Sequence, residues 1–116
     1  MELSDEYLRG IELFNEQRYF DCHETLEPLW LNSAGVRREF LQAIIQVAAA
    51  LHQLQRGNRN GANSIYRRAK QKLESVPDIF MRLDIKRFLA DVDRFFIAAA
   101  NSGTILPSAP YIHLTD

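Results

Sequence analysis

Apolar residues in this chain recur every three or four positions, the spacing that lines one face of an α-helix. No segment alternates with the two-residue period of a strand. The pattern predicts five helices. The first runs from about Asp5 to Gln17, with Ser4 as its N-cap and Tyr7, Leu8, Ile11 and Phe14 as its stripe. Asp5 and Glu6 stand in its first turn, where they complement the helix dipole. The second covers about Tyr19 to Leu31. The third, about Arg37 to Arg56, is apolar round most of its circumference through Phe40, Leu41, Ile44, Ile45, Val47, Ala48 and Leu51, which marks it as the central element.

Gly57 reads as the C-cap of the third helix, within a short GNRNG loop. A fourth helix, about Gly61 to Ser75, sets Ala62, Ile65, Tyr66, Ala69 and Leu73 on one face and stops before Pro77. Asp84 caps a fifth, whose stripe is Ile85, Phe88, Leu89, Val92, Phe95, Phe96 and Ala99; Asn101 and Gly103 end it. The tail, about residues 103–116, is broken by Pro107 and Pro110. It is expected to lie extended over the bundle through Ile105, Leu106, Tyr111 and Ile112. Short connections favour antiparallel neighbours, so the expected fold is all-α, a single up-and-down bundle occupying residues 1–116.

Composition agrees. The 116 residues, 47% hydrophobic and 25% charged, suffice for one core without disulfides or a structural metal. The lone Cys22 cannot form an internal disulfide and suits a reducing cytoplasm. The acidic start, MELSDEYLRG, lacks the apolar core of a signal peptide, and no apolar run approaches the roughly 20 residues of a membrane span. A cytoplasmic protein with no membrane partner is expected.

Net charge is only −1, but it is unevenly placed. The first 31 residues carry eight acids against Arg9 and Arg18, whereas no acid lies between Glu39 and Glu74. That acid-free stretch holds Arg56, Arg59, Arg67, Arg68, Lys70 and Lys72, either a solvated face or an anion-binding patch. A pI near 6.3 and the lack of interleaved aromatics argue against a dedicated nucleic-acid binder.

The densest polar signal lies on the second helix. Tyr19, Cys22, Leu26, Leu29 and Trp30 form one apolar row, and Phe20 with Leu31 a second; His23 and Glu27, four apart, fall in the gap between them. Glu24 borders the second row. An imidazole and a carboxylate in that position should be at least partly buried and must find partners. Pro28, inside the helix, removes a donor and predicts a kink. Three readings stand. The pair could seal a polar seam by an i,i+4 hydrogen bond, in which case removing either partner should cost about 1–3 kcal/mol. It could ligate a divalent metal with His52, which shares a wheel face with Leu41, Ile45 and Ala48. It could serve acid–base or small-ligand chemistry. His-Glu-x-x-Glu lacks the second histidine of the zincin His-Glu-x-x-His, so a hydrolase-like role has little local support. Gln42, Gln46 and Gln53 form a polar stripe beside Glu39 that would face solvent, a groove or a second subunit. No phosphate-gripping glycine loop and no nucleophile elbow occurs. Cys22, on an apolar row, reads as a structural thiol, and Trp30 as a core anchor.

Together, F-N-x-x-x-Y-F-x-C-H-E-x-L-E-x-x-W (Phe14 to Trp30), F-L-Q-x-x-I-Q-x-A-A-A-x-H (Phe40 to His52), R-G-N-x-x-G-A (Arg56 to Ala62) and I-Y-x-x-A (Ile65 to Ala69) resemble the bacterial and archaeal family called domain of unknown function 309. The resemblance covers about Tyr7 to Leu73 well and helix five loosely. It implies a compact helical bundle with no established activity. Its signature positions fall on His23, Glu24, Leu26, Glu27, Trp30, Gln42, Gln46 and His52; Pro28 and the basic run lie outside the pattern. The leading expectation is a non-enzymatic binding or assembly module, with a homodimer as its candidate form. A small metal-binding protein or enzyme using His23, Glu27 and His52 comes second, and an anion binder through Arg56–Lys72 third.

Overall fold

A computed structural model describes residues 3–101 and 108–116. Helix α1 (Asp5–Asn15) starts at Ser4, whose hydroxyl accepts the Tyr7 N–H at 3.2 Å, and carries Asp5 and Glu6 in its first turn. It buries Tyr7, Ile11, Leu13 and Phe14, while Leu8, expected in that stripe, is exposed. Helix α2 (Tyr19–Leu31) runs unbroken through Pro28. Helix α3 (Gly35–Gln55) is the longest and has the most buried positions, including Phe40, Leu41, Ile44, Val47, Ala48 and Leu51. Helix α4 (Arg59–Leu73) buries Ala62, Tyr66, Ala69 and Leu73.

The α3–α4 junction has no slack. Gly57 takes a left-handed φ of 81°, which glycine adopts without steric cost. Its N–H reaches the Leu54 carbonyl at 3.0 Å and the Asn58 N–H reaches that of Gln53 at 2.9 Å, the paired bonds of a Schellman end. The Asn58 side chain then accepts the Gly61 N–H at 3.0 Å and caps α4. That cap starts α4 two residues before the expected Gly61.

By its contacts the chain divides into two compact units, one extending to Val76 and one from Pro77 to Asp116. In the first, α1 packs on α2, α2 on α3 and α3 on α4. Phe20 at the start of α2 meets His52 near the end of α3, and Glu39 early in α3 faces Lys72 late in α4, so successive helices are antiparallel. Tyr7 and Phe40, both fully buried, meet with ring centroids 6.2 Å apart and tie α1 to α3.

The second unit contains an element the periodicity did not predict. β1 (Ile79–Phe80) and β2 (Leu83–Asp84) pair antiparallel, Ile79 with Asp84 and Phe80 with Leu83, around Met81 and Arg82 at φ 48° and 63°. Two-residue strands are too short to show an alternation. Asp84 then accepts the Arg87 N–H at 3.1 Å and opens α5 (Ile85–Asn101), with Ile85, Phe88, Val92, Phe95 and Ala99 buried and Leu89 and Phe96, expected in the same stripe, only half-buried. Residues 108–116 have no regular structure. Their Thr115 N–H bonds the Arg82 carbonyl at 2.7 Å, and Ile112 is buried while Tyr111 is exposed. The expectations for Gly103, Ile105, Leu106 and Pro107 fall outside the described residues. The protein is all-α apart from the hairpin, and no described helix is long and apolar enough to cross a membrane.

Candidate functional site

Helix α2 turns Tyr19, Cys22 and Leu26 into the core of the first unit, which sets His23 and Glu27 on its flank. Four residues apart, they lie one above the other, and His23 Nε2 and Glu27 Oε2 are 2.8 Å apart. The expected hydrogen bond forms, but their side chains are 37% and 45% exposed. It is a surface pair, shallower than a buried seam. Glu24 is exposed outright. The second apolar row of α2 is also on the surface: Phe20 and Leu31 are each 56% exposed.

His52 is half-buried and takes the Phe20 ring as its neighbour, with centroids 6.3 Å apart and planes at 45°. Among the described residues no three His, Cys, Asp or Glu side chains converge on a point that could hold a metal ion. The proposed ligand set of His23, Glu27 and His52 is therefore not assembled. The wheel placed His52 on an apolar face correctly, but that face meets α2 through Phe20.

Trp30 closes α2. Its ring carries the Arg38 guanidinium at 4.7 Å, and Arg38 also donates to the carbonyls of Trp30 and Ser33, both at 3.4 Å. The indole Nε1 is buried without a hydrogen-bond partner. Arg38 escaped the sequence reading; the only available signal was a cation just past the turn that follows a tryptophan. Gln42 is half-buried. Gln46 and Gln53 turn toward α4: Gln46 lines a groove with Arg68, Gln71, Lys72 and Ser75, and the Gln53 Oε1 accepts from Asn58 Nδ2 at 3.1 Å.

The basic run does not form one patch. On α4, Arg59, Arg67 and Lys70 fall on one flank of the buried stripe, and Arg68 and Lys72 on the other. Lys70 lies over the Tyr66 ring at 5.4 Å, and Lys72 stands 3.9 Å from Glu39. Arg56 is exposed just beyond α3.

Cys22 is fully buried, and desolvation pushes its thiol up to about 12. Burial and then the neighbouring Cys22 push Tyr19 up to about 12 as well. Both stay protonated and apolar in character at neutral pH, so neither is a nucleophile.

Fold and site thus define a small helical protein whose signature residues spread over the faces of an antiparallel bundle instead of meeting at one point. The chain belongs to the family described as domain of unknown function (DUF309), whose model matches residues 7–65. It is similar to the crystal structure of a conserved hypothetical protein from Thermus thermophilus, at 37% identity and a TM-score of 0.72, over 84% of this chain and all of that one. No curated protein matches the chain.

Proposed function

We propose that this protein is a non-enzymatic assembly module that pairs with a second copy of itself through the outer face of α2. The observation that carries the reading is the exposure of Phe20 and Leu31 at either end of that face. They are eleven residues apart, three helical turns, and so share a direction to within about 20°. A two-fold axis crossing α2 midway between them sets Phe20 of one copy against Leu31 of the other, as self-complementary interfaces require. The Glu24 and Glu27 carboxylates lie near the axis and oppose the pairing, while the His23 imidazole lies against Glu27. One helix face buries little area, so the pairing is weak and depends on concentration.

Light scattering and sedimentation equilibrium of the full chain test this. The expected result is a dimer at about 100 μM that dissociates on dilution. Phe20→Glu with Leu31→Glu should give a monomer that keeps its helical content, and Leu31→Glu alone, away from the Phe20–His52 contact, should already weaken the pairing. A wild-type chain that is monomeric throughout, or a double variant that still dimerises, would sink the reading.

A further inference from the structure

The outer face of α2 carries one half of a cation site. His23 Nε2 and Glu27 Oε2 stand 2.8 Å apart on part-exposed side chains, and neither side chain has a second polar partner among the described residues. Two donors to one zinc-like ion, each about 2.0–2.1 Å from it, lie about 3.3 Å from each other in a tetrahedral shell. The pair therefore has to open by only about 0.5 Å to chelate. Two donors are half a shell, and a single chain adds no third His, Cys, Asp or Glu to them among the described residues.

A second copy supplies the other half. Along α2, Glu27 lies about 2 Å from the midpoint between Phe20 and Leu31, and His23 about 4 Å from it on the opposite side. Around the helix, Glu27 and Glu24 fall about 30° to either side of the Phe20–Leu31 direction, and His23 about 70° to the Glu27 side. The two-fold axis of an antiparallel pair runs between the helices, perpendicular to both, so each edge of α2 meets the same edge of the second copy. His23 and Glu27 of both copies share one edge, and Glu24 meets its equivalent on the other. Bare, the first edge sets two carboxylates against each other; a dication between them turns that repulsion into attraction. We propose that a zinc-type divalent ion bridges two copies of the chain, held by His23 Nε2 and a Glu27 carboxylate oxygen from each. This inference rests on the α2 pairing. The ion takes the place of the proton between Nε2 and Oε2, which passes to solvent. Imidazole with carboxylate suits zinc and its first-row neighbours, whereas magnesium and calcium favour all-oxygen shells.

Sedimentation equilibrium of the untagged full chain in EDTA, in zinc chloride and in magnesium chloride separates the two readings. Zinc should tighten the pairing at least about tenfold over EDTA, and magnesium should not. Titration calorimetry should count one zinc per two chains. His23→Gln and Glu27→Gln should each abolish the gain, while Glu24→Gln on the other edge keeps it. The Phe20→Glu, Leu31→Glu variant should bind zinc at least about tenfold more weakly than the wild type. A dimer in EDTA that zinc leaves unchanged overturns the bridge and leaves the pairing standing. A chain that pairs only in zinc supports the bridge and overturns pairing by apolar contact alone; one that is monomeric in every solution overturns both. Zinc bound at one ion per chain, or an equal gain in His23→Gln, also defeats the bridge.

Discussion

At Gly10, α1 leaves room for no side chain against α2, because a Cβ built there would run into the Leu26 side chain in the core. Gly10→Ala should therefore destabilise by about 2 kcal/mol through overpacking, measured by urea denaturation. Cys22 is enclosed by the same packing. Its thiol, held protonated up to about 12 when folded, should resist disulfide-exchange reagents until the protein is denatured. The unfolded thiol ionises from about pH 9. The folded form therefore holds more protons between about pH 9 and 12, and Tyr19 acts in the same direction from 10. Stability is fully present below that window and falls as pH rises through it, so melting temperature should drop steadily above pH 9. His23→Ala should cost only about 0.5 kcal/mol, the value of an exposed i,i+4 pair, well below the 1–3 kcal/mol a buried seam would imply. The bond itself was legible from a spacing of four. Its partial burial was legible too, but not that more than a third of each side chain stays in solvent, since a helical wheel gives the direction of a side chain and says nothing of how far the neighbouring helix reaches. Phe20 and Leu31 misled in the same way, being apolar by type yet mostly in solvent.

At the level of elements, the long helices were readable because each buries one face on a neighbour, and that burial imposes a period on the sequence. The ends were harder. α1 stops at Asn15, and Gln17 beyond it sits at φ 63°, a left-handed conformation that nothing in a glutamine announces. That position is exposed, so Gln17→Gly should relieve the strain and stabilise the protein by about 1 kcal/mol. A drop in the urea midpoint would show that the glutamine side chain contributes more than its backbone costs. The hairpin at residues 79–84 was missed for a related reason: a two-residue strand has no repeat, and its turn uses Met81 and Arg82 where an Asn-Gly pair would have been recognised.

For the whole molecule, the order of packing followed from short loops, and the family from several motifs taken together, but convergence of a site did not. His23, His52, Trp30 and Gln46 all belong to the recognisable pattern, yet they serve different contacts: a surface pair, a ring against Phe20, a platform for Arg38 and a wall of the α3–α4 groove. A pattern in one dimension does not say which faces will meet. Asn58 shows how firmly two of those faces are joined. Its backbone finishes α3 while its side chain begins α4, so neither helix can fray at that end without releasing the other. Amide hydrogen exchange should report the last turn of α3 and the first turn of α4 opening as one cooperative block, with nearly equal protection. Asn58→Ala should speed exchange on both sides of the junction together.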